Sequence, residues 1–92
     1  MNSNLIASGA SMKLIIVIPC LNEEKTIGDI ISQIPSKIPG ISKSLVYVID
    51  DGSTDHTAEI ARQHGARVIQ HRSTKGVGAA FHTGIDASIR SG

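Results

Sequence analysis

Asp50 and Asp51 stand side by side at the end of an apolar run, in the stretch VYVIDDGSTDHT, and Ser53, Thr54 and Thr57 follow them. Two adjacent like charges repel, so each needs a partner. Successive strand residues point to opposite faces. One aspartate can therefore turn into a crevice while the other faces the loops on the helix side. Carboxylates also suit turn and helix-start N–H groups, which is the plainer use of both. The sharper use gives one of them to the edge of a nucleobase, where a carboxylate accepts ring N–H groups. Asp51, nearer the mouth, is the better placed for it. Glu23 allows the same two readings, as a first-turn helix acid or as the acceptor of two hydrogen bonds from a ribose diol. Pro19 and Leu21 would supply an apolar wall for the base.

The other reactive types offer less. Cys20 has no histidine at an activating spacing and reads as a small apolar filler. His56, His64, His71 and His82 show no metal-ligand spacing and read as surface or satisfied histidines. The run KGVGAAFHTG, residues 75–84, fails both phosphate-loop templates. A GxGxxG from Gly76 would need glycine where Phe81 stands, and GxxxxGK[ST] is absent. Gly76 and Gly78 instead allow a tight lead into a helix, and Gly84 lets that helix pack closely. Lys75 could reach a diphosphate or a base.

The elements that must position these residues follow from periodicity. Residues 13–18 form a continuous apolar run after Lys13, the pattern of a strand covered on both faces, with Pro19 expected to stop it. In 23–34, Ile27, Ile30, Ile31 and Ile34 make one helical stripe, with Asn22 as the expected cap. A loop rich in proline and glycine fills 35–44, and a second buried strand runs over 44–49. Ser53, Thr54 or Asp55 caps the next helix, which Gly65 ends. A third strand covers 66–71, and a last helix runs from about Val77 to Arg90, with Val77, Phe81, Ile85 and Ile89 recurring every four residues. The order β-α-β-α-β-α predicts parallel strands with right-handed crossovers, half of a doubly wound sheet. The motif residues then gather beyond the carboxyl ends of the strands, where such sheets bind ligands.

The whole chain sets bounds. Its 92 residues suffice for one small domain, and its formal net charge is +1. Basic residues are scattered, and Tyr47 and Phe81 are the only aromatics. These facts argue against a nucleic-acid partner. A single cysteine excludes an internal disulfide and fits a reducing, cytoplasmic setting. No transmembrane segment is expected, since no apolar run approaches the roughly 20 residues a span needs. Residues 1–12 lack the pattern of a signal peptide and read as a flexible extension before a domain over 13–92.

IIVIPCLNEEKTIGDII, VYVIDDGSTDHTAEIA and KGVGAAFHTGI, in this order and at these distances, resemble the start of the family 2 glycosyltransferases. The likeness covers nearly all of residues 13–92, and its nearest flavour is the dolichyl- or polyprenyl-phosphate sugar transferase branch. It implies a GT-A fold, a three-layer, Rossmann-like α/β parallel sheet of which this chain is the N-terminal half. It implies inverting transfer from a UDP- or GDP-linked sugar, with Mg²⁺ or Mn²⁺ in the full-length parent. Pro19, Leu21 and Glu23 would line the nucleoside site, Asp51 would hydrogen-bond the base, and Lys75 falls where the family sometimes contacts the nucleotide. One departure counts. The family's Asp-x-Asp metal motif does not occur in the 92 residues. The chain is thus expected to be a nucleotide-recognition fragment, inactive alone, with no catalytic residue and no metal ligand of its own. Its parent is expected to act at the inner face of a membrane, and the open sheet edge invites self-association. The rival reading is a non-catalytic nucleotide-binding or interaction module with a half-Rossmann sheet. A dinucleotide oxidoreductase fits less well, because Glu23 and Glu24 would repel a pyrophosphate at the first helix.

Overall fold

A computed structural model describes residues 12–90. Three parallel strands, β1 (Lys13–Cys20), β2 (Lys43–Asp50) and β3 (Arg67–Gln70), lie in the order β1-β2-β3. Three helices join and follow them: α1 (Ile27–Ser32), α2 (Thr57–Gln63) and α3 (Val77–Arg90). The extension expected over 1–12 lies, apart from Met12, outside the described residues. Met12 itself is tied down, its carbonyl accepting from the Ser42 amide and hydroxyl, both at 2.9 Å.

Strand alternation makes two cores. Ile18, Cys20, Val46, Val48 and Val68 face one side, where Ile27 and Ile31 of α1 and Ala61 of α2 close over them. Ile15, Val17, Leu45, Tyr47, Ile49 and Ile69 face the other, under Ala80 and Ala87 of α3. The result is the three-layer α/β sandwich that continuous β-branched runs predict.

Three details differ from the expectation, and the facing of α3 is a fourth that periodicity left open. Pro19 does not stop β1 but pairs with Ile49. The Cys20 carbonyl accepts from Asp51 N on the β2 side at 2.9 Å. Successive strand residues send their polar groups to opposite edges. The Pro19 nitrogen is therefore turned to the outer edge, where among the described residues no strand asks it for a proton. Helix α1 begins at Ile27 rather than residue 23, and Asn22 does not cap it. Asn22 takes a left-handed φ of 53° and binds the next loop instead. The N-cap of α2 is His56, not Ser53, Thr54 or Asp55, although Asp55 does accept from Thr57 N at 2.9 Å. Finally, Val77, Phe81, Ile85 and Ile89 face solvent, being 67, 49, 58 and 73% exposed. The small face of α3, Ala80 and Gly84, meets the sheet. A methyl at Gly84 would collide with Val17 Cγ1, so the close packing expected of this glycine holds. Gly65 ends α2 as expected. At φ 91° it lets its own N–H reach Arg62 O and the Ala66 N–H reach Ala61 O, the paired bonds of a Schellman stop.

Candidate functional site

The segments beyond the carboxyl ends of β1 and β2 hold each other. Asn22 N donates to Ser53 Oγ at 2.8 Å, and Thr54 N donates to Asn22 Oδ1 at 2.9 Å. Glu23 N donates to Thr57 Oγ1 at 2.8 Å, and Glu24 N to Asp55 Oδ2 at 3.3 Å. Glu24 Oε1 in turn accepts from His56 N and from His56 Nδ1. Most polar residues of the two motifs thus clasp one loop to the other. Burial pushes the Asp55 carboxyl up, but the Thr57 hydroxyl and amide and the Glu24 N–H outweigh it and leave the group below the usual carboxylate range.

The paired aspartates part across the sheet. Asp50, 1% exposed, follows the α1–α2 side and accepts from Ser53 N at 2.9 Å. Asp51, 5% exposed, turns toward α3. Its Oδ1 accepts from His71 Nδ1 at 2.7 Å and from Lys75 N at 2.9 Å, and its Oδ2 accepts from Gly76 N at 2.8 Å. The His71 bond first, then the Lys75 N–H, hold the Asp51 carboxyl below the usual range against the opposing effect of burial. Asp51 thereby organises the segment 71–76 that leads into α3. Both aspartates thus take turn N–H groups, the plainer use that their type suggests. Gly52, between the two segments, combines a φ of 91° with close contact. A Cβ there would lie 2.9 Å from Thr74 N.

Asp51 also lines a cavity of about 310 Å³, shared with Pro19, Cys20, Leu21, Glu23, Thr74, Gly76, Val77 and Ala80. Four of the five residues singled out from sequence, Pro19, Leu21, Glu23 and Asp51, therefore meet around one hollow. Lys75 is not in its lining, and its described link to the site is the backbone N–H given to Asp51. Glu23 is exposed and accepts from the Thr26 hydroxyl at 2.8 Å through Oε2. Cys20 is buried, and burial first, then Asp50, Glu23 and Asp55, push its thiol up to about 12. A thiol so seldom ionised is a wall, not a nucleophile. Sequence reasoning missed His71, Thr74, Val77 and Ala80. A larger hollow of about 560 Å³ lies along the loop before β2, lined by residues that include Lys37, Pro39 and Lys43. It sits at the amino ends of the strands, away from where such sheets bind ligands.

The sequence profile of glycosyl transferase family 2 matches residues 15–89. The chain belongs to that family. It is 38% identical over 77 residues to an uncharacterised protein of Methanocaldococcus jannaschii, covering 84% of this chain and 30% of that one. It is 35% identical over 71 residues to glucosyl-3-phosphoglycerate synthase of Mycolicibacterium smegmatis, covering 77% of this chain and 23% of the relative. Among solved structures, glucosyl-3-phosphoglycerate synthase of Mycobacterium tuberculosis in complex with Mn²⁺, UDP-glucose and glycerol 3-phosphate superposes with a TM-score of 0.68 and 30% identity. That match covers 90% of this chain and 31% of the synthase. A second structure of the M. tuberculosis synthase gives 0.70 and 33%, over 91% and 33%. The chain thus spans about 30% of the length of its first curated relatives.

The family fold is confirmed: a parallel α/β sheet of Rossmann type, with the residues matched to GT-A enzymes. Among the synthase structures, one holds Mn²⁺ with UDP-glucose and another holds Mg²⁺ with UDP. The described residues of this chain do not fit such an ion. Among them no three acidic, histidine or cysteine side chains converge. Asp50 and Asp51 diverge, and Asp51 is already held by three donors. Among the described residues no helix is long and apolar enough to cross a membrane.

Proposed function

We propose that this chain forms the nucleoside-recognition part of a glycosyltransferase that moves a sugar from a UDP- or GDP-linked donor to an acceptor with inversion. The observation that carries the reading is Asp51, an ionised carboxylate lining a cavity that also has Pro19 and Leu21 as apolar wall and Glu23 beside them. A carboxylate only accepts hydrogen bonds. Uracil and guanine each offer a ring N–H on the pairing edge; adenine and cytosine offer a bare ring nitrogen there. Asp51 thus selects for the first two. The exposed Glu23 carboxylate would take the ribose hydroxyls, and Lys75, on the adjoining turn, would meet the diphosphate. The divalent cation and the acceptor fall to residues beyond those described here, so the 92-residue chain binds donor without turnover. The mycobacterial synthase crystallised with UDP and with UDP-glucose supports UDP over GDP. A cytoplasmic location, with the parent working beside a membrane as in the polyprenyl-phosphate branch, belongs to the same proposal.

The test is an NMR titration of the chain with UDP, GDP, ADP and CDP. UDP or GDP should shift the amides of Leu21, Glu23 and Gly76, with ADP and CDP roughly tenfold weaker, the scale of one hydrogen bond to a charged group. Equal binding of all four would remove the base-reading role of Asp51. No binding of any would remove the nucleotide reading.

A further inference from the structure

His71 immediately follows β3 and is half-buried, with both ring nitrogens engaged. Nδ1 lies 2.7 Å from Asp51 Oδ1, and Nε2 lies 2.8 Å from Thr83 Oγ1 on the second turn of α3. The side chains of His71 and Asp51 are 10 and 7% exposed. An ionised Asp51 can only accept, so Nδ1 must carry a proton. In the neutral ring Nε2 is then a lone pair that accepts from the Thr83 hydroxyl. The backbone of His71 is fixed as well, its N–H donating to Asp50 O at 2.9 Å.

We propose that His71 is a positioning residue. It holds Asp51 in the rotamer that serves the cavity and braces that carboxylate against α3 through Thr83. The chain of contact runs Thr83–His71–Asp51, and from Asp51 to the Lys75 and Gly76 amides. One ring therefore sets both the direction of Asp51 and the course of the turn that roofs the cavity. The nucleotide part of this proposal rests on the reading of Asp51 as the base acceptor; the bracing of the turn does not.

Two substitutions separate the ring nitrogens. In His71→Asn the side-chain amide reaches the place of Nδ1 and still donates to Asp51, but nothing reaches Thr83. In His71→Gln the amide reaches toward Thr83, while no atom takes the place of the Nδ1 donor to Asp51. By size alone glutamine is the closer match, so a space-filling role predicts that Gln is tolerated better than Asn. The positioning role predicts the opposite. In the Asn variant the Lys75 and Gly76 amides should exchange with solvent within about threefold of the native rate, and UDP affinity should change as little. In the Gln variant both amides should exchange roughly tenfold faster or more, and UDP should bind about tenfold more weakly. Gln equal to or better than Asn in amide protection would overturn the proposal. If UDP binds to no form, the nucleotide reading falls, and amide protection alone still decides whether His71 braces the turn. The native chain gives an independent check through the ring ¹⁵N shifts of His71. A proton on Nδ1 is expected, and a ring protonated at Nε2 alone would overturn the proposal without any variant.

Discussion

At the scale of residues, Asp51 answers the repulsion of the aspartate pair by leaving it. The two carboxylates turn to opposite faces of the sheet, and each finds N–H donors of its own. That separation was legible in the sequence, since strand alternation requires it. What was not legible is the weight each carboxylate bears. The donors to Asp51 come from residues 20 to 25 positions away, and only the placing of β3 and the turn after it brings them near. His71 was legible only as a surface or satisfied histidine, for the same reason. Histidines can be scanned for metal spacing in a sequence, but a bridge between a strand end and a helix face has no spacing signature. Asp51→Asn should therefore weaken both UDP binding, by roughly ten- to a hundredfold, and the fold itself. Its amide NH₂ must face one of the donors that Asp51 now accepts from. Asp50→Asn should lower stability less, because one donor faces Asp50. Stability should also follow pH in a way the variant reveals. The folded carboxyl of Asp51 lies below its unfolded value. Its contribution is fully present above the unfolded pKa of about 4 and is lost as pH falls through the folded one. The gap in melting temperature between native chain and Asp51→Asn should be constant near neutrality and shrink as the medium is acidified below about pH 4. A gap that widens in acid would contradict the assigned hydrogen bonds.

At the scale of elements, periodicity located all three strands and all three helices, and it missed mainly where side chains at the ends of elements are diverted. Asn22 looked like a cap by type and position, yet its side chain is committed to Thr54 and its backbone to Ser53, so α1 starts a turn later. The stripe of α3 was legible in its spacing but not in its direction. A four-residue recurrence of Val77, Phe81, Ile85 and Ile89 marks an apolar face but does not say what that face meets. Close approach of α3 to Val17 demands small residues, and these are Ala80 and Gly84, which rotate the large ones outward. Gly84→Ala tests this. Alanine gains about 1 kcal/mol in helix propensity over glycine. Against that stands a collision with Val17, whose branched side chain is stiff and rooted in a strand. Overpacking of this kind costs about 1–3 kcal/mol. The collision should win, and chemical denaturation should show a net loss of about 1 kcal/mol. A gain in stability would mean that the helix lies farther from the sheet than described.

At the scale of the molecule, two features leave surface that invites company. Among the described residues β1 and β3 each have a strand neighbour on one side only, and the outer face of α3 carries Val77, Phe81, Ile85 and Ile89, all more than 45% exposed. A family relative is about three times as long as this chain, so the surfaces of a whole enzyme are not those of the 92 residues alone. Full burial of a large apolar side chain gains about 1.5–3 kcal/mol, and these are already partly covered, so each offers roughly half of that. Two chains meeting through their α3 stripes bury eight such groups, which yields a gain of the same order as the roughly 4–15 kcal/mol lost in association. The balance predicts weak association, in the micromolar to millimolar range. Sedimentation of the 92-residue chain should accordingly show an average mass that rises with concentration. Phe81→Lys with Ile85→Lys should return it to a monomer, since both positions are on the outer face and neither lines the cavity. Association that persists in the double variant would assign it to an open sheet edge, β1 or β3, where strand pairing needs no apolar side chain. A native chain that stays monomeric at millimolar concentration would show that neither surface suffices.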